Sequence, residues 1–263
     1  MAISVATWNI NGINARLDTA RDWLGRAAPD VACLQEIKCI DDNFPAEAFE
    51  SLGYNVATHG QKSFNGVALL SKLPLEDVTR GLAGDDADEQ ARYIEAVVSA
   101  PVGGSLRVAS LYLPNGNPPD SEKYPYKLAW MERLRLHAEE LLALEEPFVL
   151  AGDYNVIPSD RDARKPGAWV GDALFLPATL ERFRALAHLG LRDAFRACDW
   201  RDRQYTFWDY QAGAWQRDNG IRIDHLMLSP QAADRLSSVA IERAERGREK
   251  PSDHVPVVAR FDL

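Results

Sequence analysis

Residues 148–155, Phe-Val-Leu-Ala-Gly-Asp-Tyr-Asn, most constrain what this chain can fold into. Three apolar residues, Phe148, Val149 and Leu150, and the small Ala151 run without polar alternation to the turn signal at Gly152. A short apolar run so bounded is a strand buried on both faces. Asp153 and Asn155 then stand where the strand leaves the core. Two residues apart in extended chain, a carboxylate and an amide point roughly the same way. Such a pair can be local turn chemistry or part of a site, and the stretch alone does not choose. The rest of the chain weighs in by repeating the pattern: a buried strand that delivers a polar group at its tip.

Ile3 to Ile10 alternates apolar with small or polar residues, as a strand does, and runs into the turn cluster Asn9, Asn11 and Gly12. Leu17 to Ala28 carries Leu17, Ala20, Leu24 and Ala27 at helical spacing before Pro29. Asp30 to Glu36 is a second apolar run that ends on a carboxylate, Glu36, beside Lys38. Tyr54–Thr58 and Gly66–Leu70 read as strands, as do Tyr93–Val98 and Leu106–Leu113, the last two joined by a turn at Gly103-Gly104. The last of these ends in Tyr112, Pro114, Asn115, Gly116 and Asn117. Residues 84–90 are acid-rich and read as a solvated loop.

Ser121 is placed to cap a long helix whose apolar stripe is Leu128, Met131, Leu134, Ala138, Leu141 and Leu142. Lys123 and Lys127, one turn apart, would face solvent or a phosphate. Residues 156–176 form a long irregular segment with Arg161, Arg164, Lys165 and Trp169, and loops of that length are often functional. Pro177–Leu189 reads as a helix stopped by Gly190. Residues 201–220 interleave arginines with Tyr205, Phe207, Trp208, Tyr210 and Trp215, which suits stacked bases and paired phosphates or a partly buried aromatic cluster. Strands follow at Ile221–Leu228, with Asp224 near its start, and at Val239–Glu242. A basic loop, Arg243 to Lys250, precedes Ser252-Asp253-His254 and a closing strand over Val255–Phe261.

With 46% hydrophobic and 26% charged residues the 263-residue chain has a globular composition, and it has neither repeats nor a linker. The expectation is one domain over residues 1–263. Its apolar runs are far shorter than the ~20 residues of a membrane span. Its start lacks a signal core, so no membrane association is expected. Cys33, Cys39 and Cys198 are few and lack metal-ligand spacing, which suits a reducing cytoplasm. The net charge of −9 argues against an indiscriminate nucleic-acid coat, though not against an enzyme with a local basic rim.

Asn9, Glu36, Tyr112 and Asp153 lie at C-terminal strand ends, whereas Asp224 and Asp253-His254 lie at N-terminal ends. With mixed strand directions both sets can share one rim. Clustered carboxylates repel, so one must lose its charge or the group must collect a cation. The donors are oxygens, which fit Mg²⁺, with Mn²⁺ as substitute, rather than Zn²⁺. A divalent ion beside a spare Asp and a His suggests attack of water on a phosphoester.

Trp8-Asn9-Ile10-Asn11-Gly12, Leu34-Gln35-Glu36-Ile37-Lys38, Tyr112-Leu113-Pro114-Asn115-Gly116, Gly152-Asp153-Tyr154-Asn155, Ile221-Arg222-Ile223-Asp224 and Ser252-Asp253-His254 closely resemble, in order, the motifs of the exonuclease III family of AP endonucleases. That family lies within the endonuclease/exonuclease/phosphatase superfamily. The resemblance spans nearly the whole chain, and the Leu-Gln-Glu-x-Lys and Tyr-x-Pro-Asn-Gly segments favour the DNA-repair branch. It implies an α/β fold: a four-layer α/β sandwich, two mixed β-sheets packed face to face with helices outside.

By resemblance, Glu36 is the main metal ligand, with Asn9 and Asp253 near the metal. Asp153 would activate water or protonate the leaving group, Asn155 would position the phosphate, and Asp224 would orient His254 toward a phosphate oxygen. Tyr112 would lie near the scissile group. Phe207, Ile221 and Ile223 would line a pocket for a base-free sugar, whose extrusion costs less than that of a paired base. Arg222, Lys123 and the 243–250 loop would contact the DNA backbone.

The activity implied is Mg²⁺-dependent incision of double-stranded DNA 5′ to abasic sites, with removal of 3′ nucleotides or 3′ blocking groups. A monomer in a bacterial cytoplasm, acting at the nucleoid, is expected. The rivals are a superfamily phosphoesterase acting on RNA, nucleotides or phosphoinositides, and a non-catalytic DNA-binding protein on the same fold.

Overall fold

The structure is a computed structural model that describes residues 2–100 and 104–262. The elements run β1 (Ala2–Asn9), α1 (Leu17–Ala27), β2 (Val31–Gln35), α2 (Ala46–Glu50), β3 (Asn55–His59), β4 (Val67–Ser71), β5 (Leu75–Arg80), β6 (Tyr93–Ala100) and β7 (Gly104–Tyr112). They continue with α3 (Lys123–Ala143), β8 (Phe148–Asp153), α4 (Pro177–His188), β9 (Arg192–Asp193), α5 (Ala194–Cys198), β10 (Asp224–Leu228), α6 (Pro230–Ala233), β11 (Leu236–Ile241) and β12 (Val257–Asp262).

Among the described residues the strands form two six-stranded sheets, ordered β11-β12-β1-β2-β4-β3 and β5-β6-β7-β8-β10-β9. Each is mixed: β1 with β2 and β7 with β8 are parallel, and their other neighbours run antiparallel. The expected α/β sandwich is therefore present, and the packing shows why its strands lack polar alternation. On β8, Val149 and Ala151 point into the core between the sheets, while Phe148 and Leu150 point outward onto α3 and α4. On β1, Val5 faces the inter-sheet core and Ala6 and Trp8 face α1. With both faces covered, both sets of alternating side chains must be apolar.

Gly152 interrupts that rule for a steric reason. A Cβ there would lie 2.0 Å from the Leu111 carbonyl oxygen, so only glycine lets β8 pass β7 this closely.

The elements expected from the sequence are present within a few residues of their bounds. The long helix starts later than its cap signal: the Ser121 hydroxyl donates to the Pro118 carbonyl and accepts from the Lys123 amide, two residues before the helical ladder. β5 was not foreseen. It is an edge strand with mostly exposed polar residues, so it carries no apolar run. The acid-rich loop is mainly exposed, but Asp88 is not: it pairs with Arg133 at 2.6 Å and accepts from the Tyr126 phenol, pinning the loop to α3. Gly103 of the expected turn lies outside the described residues; the strands it would join pair up to Ala100 and Gly104.

Candidate active site

Strand register assembles the site. On the second sheet Tyr112 pairs with Asp153, and Asp153 with Asp224, so three strand ends stand level in one row. On the first sheet Asn9 closes β1 opposite Gln35, and Glu36 follows β2 at a left-handed φ of 51°. Asp253 and His254 lie just before β12. The two halves meet through Asn9, whose Nδ2 donates to Glu36 Oε1 at 2.9 Å and to Asp153 Oδ2 at 3.0 Å. Strands of opposite sense do place both kinds of tip on one rim.

The rim encloses a cavity of about 290 Å³. Its polar side includes Glu36, Tyr112, Asp153, Asn155, Asp209, Asp253 and His254, and its apolar side is Trp169, Leu174, Phe207 and Ile223. A cavity of about 830 Å³ between edge strands β3 and β5 gathers no such set.

His254 lies between two buried carboxylates. Its Nδ1 is 2.9 Å from Asp224 Oδ2 and its Nε2 is 3.7 Å from Asp153 Oδ2. Burial disfavours the imidazolium, but Asp224 and Asp153 outweigh burial and raise its pKa well above the ordinary value, so His254 is charged at neutral pH. Asp153 is also shifted upward, by burial and by Asp224, against the pull of His254. Its Oδ1 accepts from the Asn155 amide at 2.9 Å. Burial together with the charges of Glu36 and Asp153 keeps the Tyr112 phenol protonated. The Phe207 ring stands edge-on to His254, centroids 4.9 Å apart, and seals its apolar side.

Three acidic or imidazole groups come close enough to share an ion among the described residues, namely Asp153, Asp224 and His254. Chemistry argues against an ion there, because the imidazolium already stands between the two carboxylates as their cation. Glu36 fits better. Burial would raise its pKa, but the Lys38 ammonium 2.8 Å from Oε2 and the Asn9 amide hold it below the ordinary value. The Asp253 carboxylate, an acceptor from Asn11 Nδ2 at 3.0 Å, lines the same cavity. The two carboxylates make an all-oxygen pair that suits a hard divalent cation.

Asn9, expected beside a metal, has both ends of its amide engaged: Nδ2 donates to the two carboxylates and Oδ1 accepts from the Asn11 amide. It holds the two acids apart at the place where the metal is expected.

Several expected contacts are placed differently. Arg222, foreseen at the DNA backbone, is 1% exposed and pairs with Asp162 and Asp193, each at 2.7 Å. It ties the 156–176 segment to β9 and cannot reach a phosphate. Ile221 is buried behind Phe207 and not on the cavity wall, whereas Phe207 and Ile223 do line it. Lys127 is fully buried. Lys123 is exposed and borders an adjoining groove shared with Tyr112 and Asn115. In the 243–250 loop, Arg246 is buried against the Trp208 carbonyl, and Arg243 covers Trp208 and Trp215 with its guanidinium 5.2 and 5.0 Å from the rings. The tryptophans themselves meet at 5.0 Å, so Trp215 is loop packing.

Asn11, Asn115, Trp169 and Leu174 also stand at the site, beyond the residues that the sequence motifs assign to it. The first two stand inside recognised tip motifs. The other two sit in a long loop whose fold no local pattern gives.

Burial would raise the Asp162 carboxyl, but Arg222 and Arg196 overcome it and hold it at about 2. A carboxylate depressed on folding adds stability that is full above its ordinary pKa of 3.8 and is lost as pH falls through about 2. Arg222→Met should therefore cost about 3–5 kcal/mol near neutral pH, as expected when a buried partner is removed. The penalty should shrink in acid, because the carboxylates left behind take up protons. Urea unfolding at pH 7 and pH 3 checks this, and a loss of equal size at both would disprove it.

Comparison with known proteins agrees with the geometry. Residues 6–254 match the model of the Endonuclease/Exonuclease/phosphatase family. The chain is 36% identical to exodeoxyribonuclease III of Haemophilus influenzae, over 97% of this chain and 98% of that one. Among solved structures, an AP endonuclease from Archaeoglobus fulgidus superposes with a TM-score of 0.93 at 36% identity, covering 99% of this chain and 100% of that one. A 3′ phosphatase, NExo, from Neisseria bound to a product DNA hairpin superposes at 0.95, with the same identity and coverage. The chain belongs to the Endonuclease/Exonuclease/phosphatase family, in its exonuclease III group of AP endonucleases.

Proposed function

We propose that this protein is a DNA-repair phosphodiesterase that incises duplex DNA 5′ to abasic sites and removes 3′ nucleotides or blocking groups. The observation that carries the reading is the buried row Asp153–His254–Asp224 beneath a cavity with one apolar wall. The polar side suits a phosphodiester and the apolar side a sugar without its base.

Asp153, with its pKa raised, is the group to take a proton from water or to return one to the leaving oxygen. The His254 imidazolium, fixed by Asp224, opposes charge growing on a phosphate oxygen. Asn155 and Tyr112 supply donors at the same wall. Glu36 and Asp253 would hold Mg²⁺, with Mn²⁺ as substitute. Bound there, the ion would neutralise phosphate charge and favour departure of the leaving oxygen.

The reading extends to a single domain over residues 1–263 that acts as a monomer in a bacterial cytoplasm, at the nucleoid. No described helix is long and apolar enough to cross a membrane. Lys123 is an exposed cation on the adjoining groove that suits backbone contact.

The test uses two end-labelled duplexes, one with a single abasic site and one intact with a recessed 3′ end, each with Mg²⁺ and with EDTA. Nicking at the abasic site that EDTA abolishes is the expected result, and the ratio between the duplexes assigns the main activity. A folded protein that cuts neither duplex with metal present would shift the substrate to RNA or a small phosphoester.

A further inference from the structure

Lys127, on the first turns of α3, is a lysine with 0% exposure that the proposed chemistry does not use. Its Nζ donates to the main-chain carbonyls of Asn155 at 2.6 Å and of Asn115 at 3.0 Å. These two residues follow the ends of β8 and β7. They also touch each other, since Asn115 Nδ2 donates to Asn155 Oδ1 at 3.0 Å. Asn155 takes a left-handed φ of 46°, uncommon outside glycine. The Lys127 stem is part of the same construction: a Cβ on Gly116 would lie 2.7 Å from Lys127 Cδ, so the segment after β7 closes around this side chain.

We infer that Lys127 is a positioning residue whose terminal amine clamps the carbonyls of Asn155 and Asn115 and so fixes the Asn155 amide at the phosphate wall of the cavity. The inference rests on the phosphodiesterase reading. An α-helix thus reaches through the loop layer to hold two residues beyond the paired ends of β7 and β8, where Asn155 Nδ2 also donates to the Leu113 carbonyl at 2.9 Å. Without the amine, two buried carbonyls lose their donor, which is costly enough to move the backbone. Burial lowers the ammonium to a pKa of about 7, against Asp153 and Asp172. The neutral amine still has two N–H bonds, one for each carbonyl, so the clamp does not require the charge.

The experiment is a double-mutant cycle with Lys127→Met and Asn155→Ala, reading kcat, KM and thermal midpoint on the duplex the wild type cuts best. Misplacing a reacting group can cost ~10²-fold, so Lys127→Met should lower kcat by roughly 10- to 100-fold with KM within about twofold. In the Asn155→Ala background, where no amide remains to be placed, the same change should cost less than about threefold in kcat, since residues acting as a unit are not additive. Lys127→Gln, which keeps N–H donors, should recover most of the rate; if the methionine variant does not fold, the cycle is run with glutamine, and its smaller kcat loss should likewise vanish beside Asn155→Ala. Equal losses in both backgrounds would overturn the inference, as would an unchanged kcat with a lowered midpoint. Failure of the wild type to cut DNA is a separate outcome that sinks the function reading. In that case the clamp is read from amide hydrogen exchange over residues 113–117 and 153–157. The inference requires faster exchange there in the variant, and unchanged exchange overturns it.

Discussion

Asp153→Asn should lower kcat by ~10²–10⁴, the range for loss of a proton-transfer group, and leave affinity for DNA nearly unchanged. The substitution is isosteric. It keeps an acceptor for the Asn155 amide and keeps β8 in register with Tyr112 and Asp224. What it removes is the titrating oxygen, whose pKa burial and Asp224 push upward, toward the working range of a general acid or base. His254 stays charged, because Asp224 remains at 2.9 Å. Single-turnover cleavage with equilibrium binding on the same duplex separates the two effects. Equal loss of binding and turnover would make Asp153 a structural residue.

The second large effect is expected at the pair behind it. His254→Gln should reduce kcat by ~10²–10³, the loss typical of removing one preorganised donor to developing charge. It also leaves Asp153 and Asp224 facing each other without their cation. One of them must then hold a proton, and the pH at which activity rises should move upward. Asp224→Asn should cost less alone, since the imidazole is still present though less basic. In the His254→Gln background it should add little, because its contribution runs through the ring. Rates for the two single variants and the double variant, taken across pH 6–9, decide this, and strictly multiplicative losses would separate Asp224 from His254.

The strands and their polar tips were legible in the sequence because both sheet faces are covered. Val149 and Leu150 must both be apolar when one faces the other sheet and one faces the helices. An edge strand has no such constraint, and β5 with its exposed polar residues gave no signal. Residue types at the tips were equally readable: Asn9, Glu36, Asp153, Asp224 and His254 stand where turn residues break apolar runs. Their hydrogen bonds were not readable, because Asn9 reaches Asp153 across 144 residues of chain. Long basic side chains were the least legible. Lys127 and Arg222 look like surface cations by type, yet one bonds to carbonyls and the other to two carboxylates in the interior. Nothing local reports a buried acceptor supplied by a distant segment.

β1 lies beside β12, and the Ser252 hydroxyl donates to the Asn9 carbonyl across 243 residues. Chains are made from the N-terminus onward, so β1 gains its β12 neighbour only after the segments between them are made. Asp253 and His254 leave the ribosome after every other residue of the rim. Until they do, Asp153 lacks its cation and the rim lacks a carboxylate. Until that segment is made the rim stays unassembled, however much of the sandwich has formed.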